Sequence, residues 1–164
     1  MRTILNANAG WRFAQGDPDG AALIGCDDSG WRRLDLPHDY MLEQPFDAQS
    51  PAGGNTGFRS GGAAWYRKEL VLDPTWRDRR VHIDFDGVMA NGRVFVNGNE
   101  VYARPAGYVG FRIDITPQLD VDGRNVIAVR TDTSEQPATR WYSGSGLYRD
   151  VRLVVPRPLH IAKS

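Results

Sequence analysis

The chain has 164 residues, which is enough for one domain with a substantial core and too short for two. Hydrophobic residues make up 41% and charged residues 24%, a globular composition, and no apolar stretch approaches the ~20 residues of a membrane-spanning helix. Twenty basic and twenty acidic residues cancel, so there is no surplus of positive charge for phosphates. We therefore expect a single domain over residues 1–164, with neither nucleic acid nor membrane as a partner.

Short runs of alternating apolar and polar residues predict β-strands. The run at 126–129 is almost continuously apolar, which predicts a strand covered on both faces. Asn97-Gly98 favours a two-residue hairpin because both residues tolerate positive φ. No segment keeps a helical period for more than about one turn. In chain order, the predicted strands are 31–36, 65–72, 81–85, 94–96, 100–102, 111–115, 126–129 and 151–155.

These eight strands predict an all-β fold, a jelly-roll sandwich of two antiparallel sheets. Eighteen glycines, ten prolines and a high aromatic content agree with many turns between short strands. Two irregular stretches, 47–62 and 133–146, interrupt the regular pattern. Loops of this length are usually functional or disordered, and the aromatic residues inside 133–146 predict that it is ordered.

The residues offer no catalytic or metal-binding constellation. His38, His82 and His160 lie far apart in the chain, and Cys26 is the only cysteine, so we expect no metal and no cofactor. The glycine-rich run at 53–62 lacks the Gly-Lys-Ser/Thr ending of a phosphate-binding loop. The sequence therefore indicates a non-catalytic domain.

Groups suited to a sugar are nevertheless present. A pyranose stacks its C–H faces on aromatic rings, and its hydroxyls pair with arginine or carboxylate groups. Arg140, Trp141 and Tyr142 supply both kinds of group in the 133–146 loop, and Asp39 is a second hydroxyl ligand. The alternatives are structural: either ring could plug the end of the sandwich, Arg140 could form a surface ion pair, and Asp39 could cap a turn.

Several motifs in the same order resemble the N-terminal sugar-binding domain of family 2 glycoside hydrolases, the group that includes β-galactosidases, β-glucuronidases and β-mannosidases. The resemblance extends from about residue 11 to residue 155, and the last motif is the most specific. The motifs are LPHDY at 36–40, PAGG at 51–54, GGAAWYRK at 61–68, FDGV at 85–88, VNG at 96–98 and RWYSGSGLYRDV at 140–151.

The resemblance implies a jelly-roll domain that, in the whole enzyme, is followed by an immunoglobulin-like domain and a barrel carrying two catalytic glutamates. It implies that the loop holding Arg140 reaches the sugar, although some relatives have an acidic residue at that position. We expect a β-galactoside-like carbohydrate as partner. An autonomous carbohydrate-binding module and a purely structural domain remain alternatives. The compartment is left open: cytoplasmic, or exported with the signal removed.

Overall fold

The computed structural model describes residues 2–135 and 141–157. Its regular elements are ten strands and four single-turn 3-10 helices, and the described residues contain no α-helix. No helix among them is long and apolar enough to cross a membrane. The strands are β1 Thr3–Asn6, β2 Trp11–Gln15, β3 Arg32–Leu34, β4 Ala63–Leu70, β5 His82–Phe85, β6 Gly92–Val96, β7 Asn99–Arg104, β8 Phe111–Asp114, β9 Asn125–Asp132 and β10 Val151–Val155. The 3-10 helices are Tyr40–Glu43, Gly53–Thr56, Pro74–Trp76 and Thr116–Gln118.

The strands form two antiparallel sheets. One sheet has four strands in the order β1-β10-β5-β8, and the other has six in the order β3-β2-β4-β9-β6-β7. The predicted hairpin joins β6 to β7, where Asn97 and Gly98 have φ of 51° and 87°. Positive φ at both positions is the geometry of a type I′ turn, whose twist matches that of the strands. The predicted two-sheet sandwich is confirmed.

The hydrophobic core lies between the two sheets. Alternate residues of each strand point inward, so Trp11, Tyr66 and Val129 of the larger sheet face Ile83 and Phe85 of the smaller one. All five are at most 1% exposed. Burial of such side chains contributes about 1.5–3 kcal/mol each, which makes this layer the main source of stability.

The outer face of the six-stranded sheet is covered as well. Residues 17–31, which we call the covering segment, pack over Trp65, Phe95 and Ala128. Arg67 is fully buried beneath this segment and donates hydrogen bonds to the carbonyl oxygens of its Ala21 and Leu23 at 2.6 and 2.9 Å, and to its Asp28. The covering segment explains why every residue from 126 to 129 is buried, as their continuous apolar pattern predicted.

The prediction of eight strands was incomplete, because β1 and β2 were missed. In β1 every residue is at least partly exposed, so its sequence carries little of the alternation that marks a half-buried strand. The irregular stretch 47–62 also contains more structure than expected. The hydroxyls of Ser50 and Thr56 in that stretch both donate to the carbonyl oxygen of Arg59, at 3.2 and 2.7 Å.

Candidate functional site

Two distant segments of the chain lie side by side at one end of the sandwich. The backbone N–H groups of His38 and Tyr40 donate to the carbonyl oxygens of Leu147 and Ser145 at 2.8 and 3.0 Å. The hydroxyl of Ser145, which is completely buried, lies 2.5 Å from that of Thr133. The motif at 140–151 is therefore anchored at its Ser-Gly-Leu portion onto the motif at 36–40.

Glycines are required where these segments cross. Gly144 has φ +73°, and a Cβ atom there would lie 2.6 Å from Oδ2 of Asp39. Gly146 has φ +120°, and a Cβ atom there would lie 2.2 Å from the hydroxyl of Tyr66 and 2.8 Å from the carbonyl oxygen of His38. Any other residue would be strained in its backbone and would collide with its neighbours. The Gly-Ser-Gly pattern thus follows from close approach of the two segments.

Asp39 organises this crossing. Its Oδ1 atom accepts hydrogen bonds from the backbone N–H groups of Met41 at 3.1 Å and Ser145 at 2.8 Å. Its Oδ2 atom accepts one from the hydroxyl of Tyr142 at 2.7 Å. Burial and this bond to Asp39 raise the pKa of the Tyr142 phenol, so it stays protonated as the donor. Asp39 thus caps the short helix at 40–43 and also anchors the loop; a direct contact between Asp39 and a sugar hydroxyl stays a prediction.

Three aromatic side chains near this crossing form what we call the aromatic cluster: Tyr108, Trp141 and Tyr142. Trp141 is 61% exposed and Tyr142 is 41% exposed, so neither ring plugs the end of the sandwich. The indole N–H of Trp141 donates to the hydroxyl of Tyr108 at 3.0 Å. Arg140, which precedes Trp141, lies outside the described residues.

Tyr108 is not among the residues that the sequence predicted for the site. It lies in the turn at 105–110 between β7 and β8, a run of glycine, proline and aromatic residues that gives the only signal. Nothing in its neighbourhood along the chain connects it with Trp141, which follows 33 positions later. Only the fold brings the two rings together.

A pocket of about 380 Å³ opens beside the aromatic cluster, with Tyr108 in its wall. Its lining mixes apolar groups with hydrogen-bonding groups, a combination suited to a ligand that has both C–H faces and hydroxyls. The other lining residues are Met89, Ala90, Asn91, Pro105, Ala106, Gly107, Asp132, Thr133, Glu135 and Ser143. Over residues 2–135 and 141–157, no three His, Cys, Asp or Glu side chains are grouped so that they could hold a metal ion.

A polar network centred on His38, whose side chain is 10% exposed, adjoins the crossing. Nδ1 of His38 lies 2.8 Å from the Tyr66 hydroxyl, and Nε2 lies 2.7 Å from Nη2 of Arg32. Burial lowers the pKa of His38 despite the nearby carboxylate of Glu43, so the ring is neutral near pH 7. Nε2 also lies 3.2 Å from Oε1 of Glu43. In the tautomer whose Nε2 accepts from the Arg32 guanidinium, which can only donate, the Nδ1–H donates to Tyr66. His38 of the LPHDY motif is thus placed to support the site from within the protein.

The two antiparallel sheets and their connections place the fold in the class of jelly-roll β-sandwich domains. Residues 7–156 match the family model described as "Glycosyl hydrolases family 2, sugar binding domain", and the chain belongs to this family. It is 47% identical over 154 residues to β-galactosidase BoGH2A of Bacteroides ovatus, an alignment covering 94% of this chain and 18% of that protein. It is 30% identical over 175 residues to a β-glucuronidase of Formosa agariphila, covering 98% of this chain and 18% of that protein.

Solved structures agree with this assignment. A β-glycosidase from Bacteroides vulgatus matches with a TM-score of 0.91 at 39% identity, over 95% of this chain and 20% of that one. A glycosyl hydrolase family 2 member from Bacteroides cellulosilyticus matches with a TM-score of 0.92 at 35% identity, over 96% of this chain and 21% of that one. The chain therefore corresponds to the N-terminal sandwich domain of these enzymes and spans about a fifth of their length.

Proposed function

We propose that this chain is a non-catalytic domain that completes the sugar-binding pocket of a β-galactosidase-like family 2 glycoside hydrolase. The observation that carries the proposal is the aromatic cluster. Its rings are exposed, yet two of their polar atoms are held by Asp39 and Tyr108 at 2.7 and 3.0 Å. Exposed rings that are fixed in place lose little conformational entropy when a ligand stacks on them, which favours a binding role.

In this proposal each predicted residue has its own task. Trp141 and Tyr142 form a wall against the C–H face of the sugar. Arg140 donates paired hydrogen bonds to a hydroxyl, which is a role inferred from its sequence position next to Trp141. Asp39 holds the loop, since its two oxygens already accept three hydrogen bonds from this chain. Contact of Asp39 with the sugar would use the remaining acceptor capacity of its carboxylate.

The rest of the enzyme is also part of the proposal. A longer protein carrying this domain would supply an immunoglobulin-like domain and a barrel with the two glutamates that hydrolyse the glycosidic bond with retention. The sugar is proposed to be a β-galactoside because BoGH2A, at 47% identity, is named a β-galactosidase. Two relatives at 30% identity are named β-glucuronidases, so a β-glucuronide is the substrate whose hydrolysis should be compared with that of a β-galactoside.

The pocket role is tested by kinetics of the longer enzyme and by binding to this chain. We expect Trp141→Ala and Arg140→Ala each to weaken transition-state binding of a β-galactoside by ~1–3 kcal/mol in kcat/KM. Phe46→Ala is the control, because Phe46 is an exposed ring, 75% accessible, outside the aromatic cluster. The isolated chain should bind methyl β-galactoside only weakly, with a Kd on the order of millimolar in an NMR titration.

Two outcomes would overturn the proposal. An unchanged kcat/KM in both variants would assign the domain a purely structural role. Micromolar binding of a polysaccharide to the chain alone, lost in Trp141→Ala, would instead identify an autonomous carbohydrate-binding module.

A further inference from the structure

A row of arginines crosses the outer face of the six-stranded sheet, away from the aromatic cluster. Arg33 of β3 is paired with Arg12 of β2, and Arg12 is paired in turn with Arg67 of β4. Directly opposite side chains in antiparallel strands have Cβ atoms about 4.5–5.5 Å apart, and like charges at that distance are destabilising. Three neighbouring guanidinium groups therefore need compensating negative charge.

The residues that the structure describes compensate only part of this charge. Arg67 is paired with Asp28 at 2.9 Å. Glu69, on the same face of β4, is paired with Arg124 at 3.1 Å. Both of these carboxylates thus already have an arginine partner. A third carboxylate, Asp35, accepts a hydrogen bond from the backbone N–H of Gly10 at 2.7 Å.

Arg12 and Arg33 are the two cations that remain. Within residues 2–135 and 141–157, the Arg12 side chain makes one long hydrogen bond, 3.4 Å, to the carbonyl oxygen of Trp31 and no ion pair. Arg33 is exposed and makes neither a side-chain hydrogen bond nor an ion pair with the described residues. Neither of these neighbouring positive charges is in an ion pair with a carboxylate of the described residues.

These side chains surround a recess of about 310 Å³, which we call the arginine recess. It is bounded on one side by β2 and β3, on another by β4 and β9, and at its edge by the covering segment. The lining residues are Gly10, Arg12, Asp28, Arg33, Glu69, Arg124 and Val126. The recess is concave and large enough for a small ligand, in contrast to a pair of arginines on a flat surface.

We propose that the arginine recess binds a tetrahedral oxyanion, a phosphate or sulfate group that carries one or two negative charges. A guanidinium offers two parallel N–H donors that match two oxygens of such a group, and Arg12 and Arg33 would together neutralise its charge. Asp28 and Glu69 also line the recess, and their negative charges are offset by Arg67 and Arg124, with which they form ion pairs. The oxyanion is either a free inorganic ion or the ester group of a modified saccharide. The site does not depend on the sugar pocket proposed above.

Titration with inorganic sulfate and phosphate tests this site. We expect either ion to shift the Nε–H resonance of Arg33 in NMR spectra and to raise the Tm, beyond any change caused by chloride at the same ionic strength. Arg33→Gln should weaken sulfate binding about tenfold or more in calorimetry. Arg33→Lys keeps the positive charge but loses the planar guanidinium group. Its sulfate affinity should therefore lie between that of Arg33→Gln and that of the unaltered chain.

Arg104→Gln is the matched control. Arg104 ends β7 at the opposite edge of the sheet and, among the described residues, its side chain also makes no ion pair. Equal sulfate affinity in Arg33→Gln and Arg104→Gln would overturn the proposal. So would a response of the unaltered chain to chloride that equals its response to sulfate and phosphate. A comparison of galactose 6-sulfate with unmodified galactose distinguishes the two sources of the oxyanion, a free inorganic ion and an ester group on a saccharide. Binding of the sulfated sugar through Arg33 identifies an ester group as ligand, whereas binding of the inorganic ions alone identifies a free-ion site.

Discussion

Asp39 shows how one side chain can determine the geometry of a site. The two oxygens of its carboxylate accept hydrogen bonds from Met41, Ser145 and Tyr142. Two of those donors lie 106 and 103 positions away in the chain. The exposed aromatic wall at Tyr142 is therefore held by a residue of the LPHDY motif.

Replacing Asp39 should loosen the loop that carries the aromatic cluster. Asp39→Ala leaves two backbone N–H groups and one phenol without their acceptor, and we expect it to lower the free energy of unfolding by about 1–3 kcal/mol. Asp39→Asn keeps one oxygen acceptor and should cost less. Urea denaturation measures the stability, and hydrogen exchange of the Ser145 amide reports the loop. Equal losses in the two variants, with unchanged exchange at Ser145, would contradict an anchoring role.

At the scale of elements, the covering segment is the part of the fold that simple strand patterns do not describe. It has no regular strand or helix, yet it buries the outer face of the central strands. Arg67 connects it to β4 through Ala21, Leu23 and Asp28. The bonds made by Nε and Nη1 of this fully buried arginine offset part of the cost of removing its charge from water, while Nη2 has no hydrogen-bond partner among the described residues.

Arg67→Met should therefore release the covering segment. The substitution leaves two carbonyl oxygens and the carboxylate of Asp28 without their donor, and we expect a loss of about 3–5 kcal/mol in the free energy of unfolding. Amide exchange over residues 17–31 should accelerate. Arg124→Met is the control: Arg124 also reaches the segment, at the carbonyl oxygen of Ile24, but its side chain is 47% exposed and its loss should cost under about 1 kcal/mol. Similar losses of unfolding free energy in both variants would show that the burial of Arg67 does not determine its contribution to stability.

The strands themselves were largely predictable from sequence. Hydrophobic alternation located β5, β8 and β10 to within a residue or so, and the Asn97-Gly98 turn was correct in type. The alternation failed for β1, because a strand at the edge of a sheet with exposed residues has no face to keep apolar.

At the scale of the whole molecule, the ionisable groups act together to make stability depend on pH. Burial lowers the pKa of His38 and His82 below the value of about 6.5 in an unfolded chain. Hydrogen bonds from Arg130 and Arg32 lower the pKa of Asp17 and Glu43, respectively. In every case the unfolded chain takes up the proton first as the pH falls.

We therefore expect the free energy of unfolding to fall as the solution is acidified, in two stages. The first stage begins near pH 6.5, where unfolded histidines become protonated while the buried ones stay neutral. The second begins near pH 4, where carboxylates protonate more readily in the unfolded chain than in their ion pairs. Urea denaturation between pH 3 and 8 measures both. His38→Gln should reduce the first stage, and a stability that is constant from pH 7 to 5 would contradict the assignment.

The sequence by itself determined the sandwich, most of its strands and the family, because alternation and the long motif at 140–151 are local patterns. It also located Asp39, Trp141 and Tyr142 as candidates. Only the tertiary structure showed that Asp39 holds Tyr142 and that Tyr108 holds Trp141. The arginine recess is a further case, since a chain with equal numbers of positive and negative charges gives no sign of it. Such contacts depend on strand register and loop crossing, which bring together residues that are far apart in the chain.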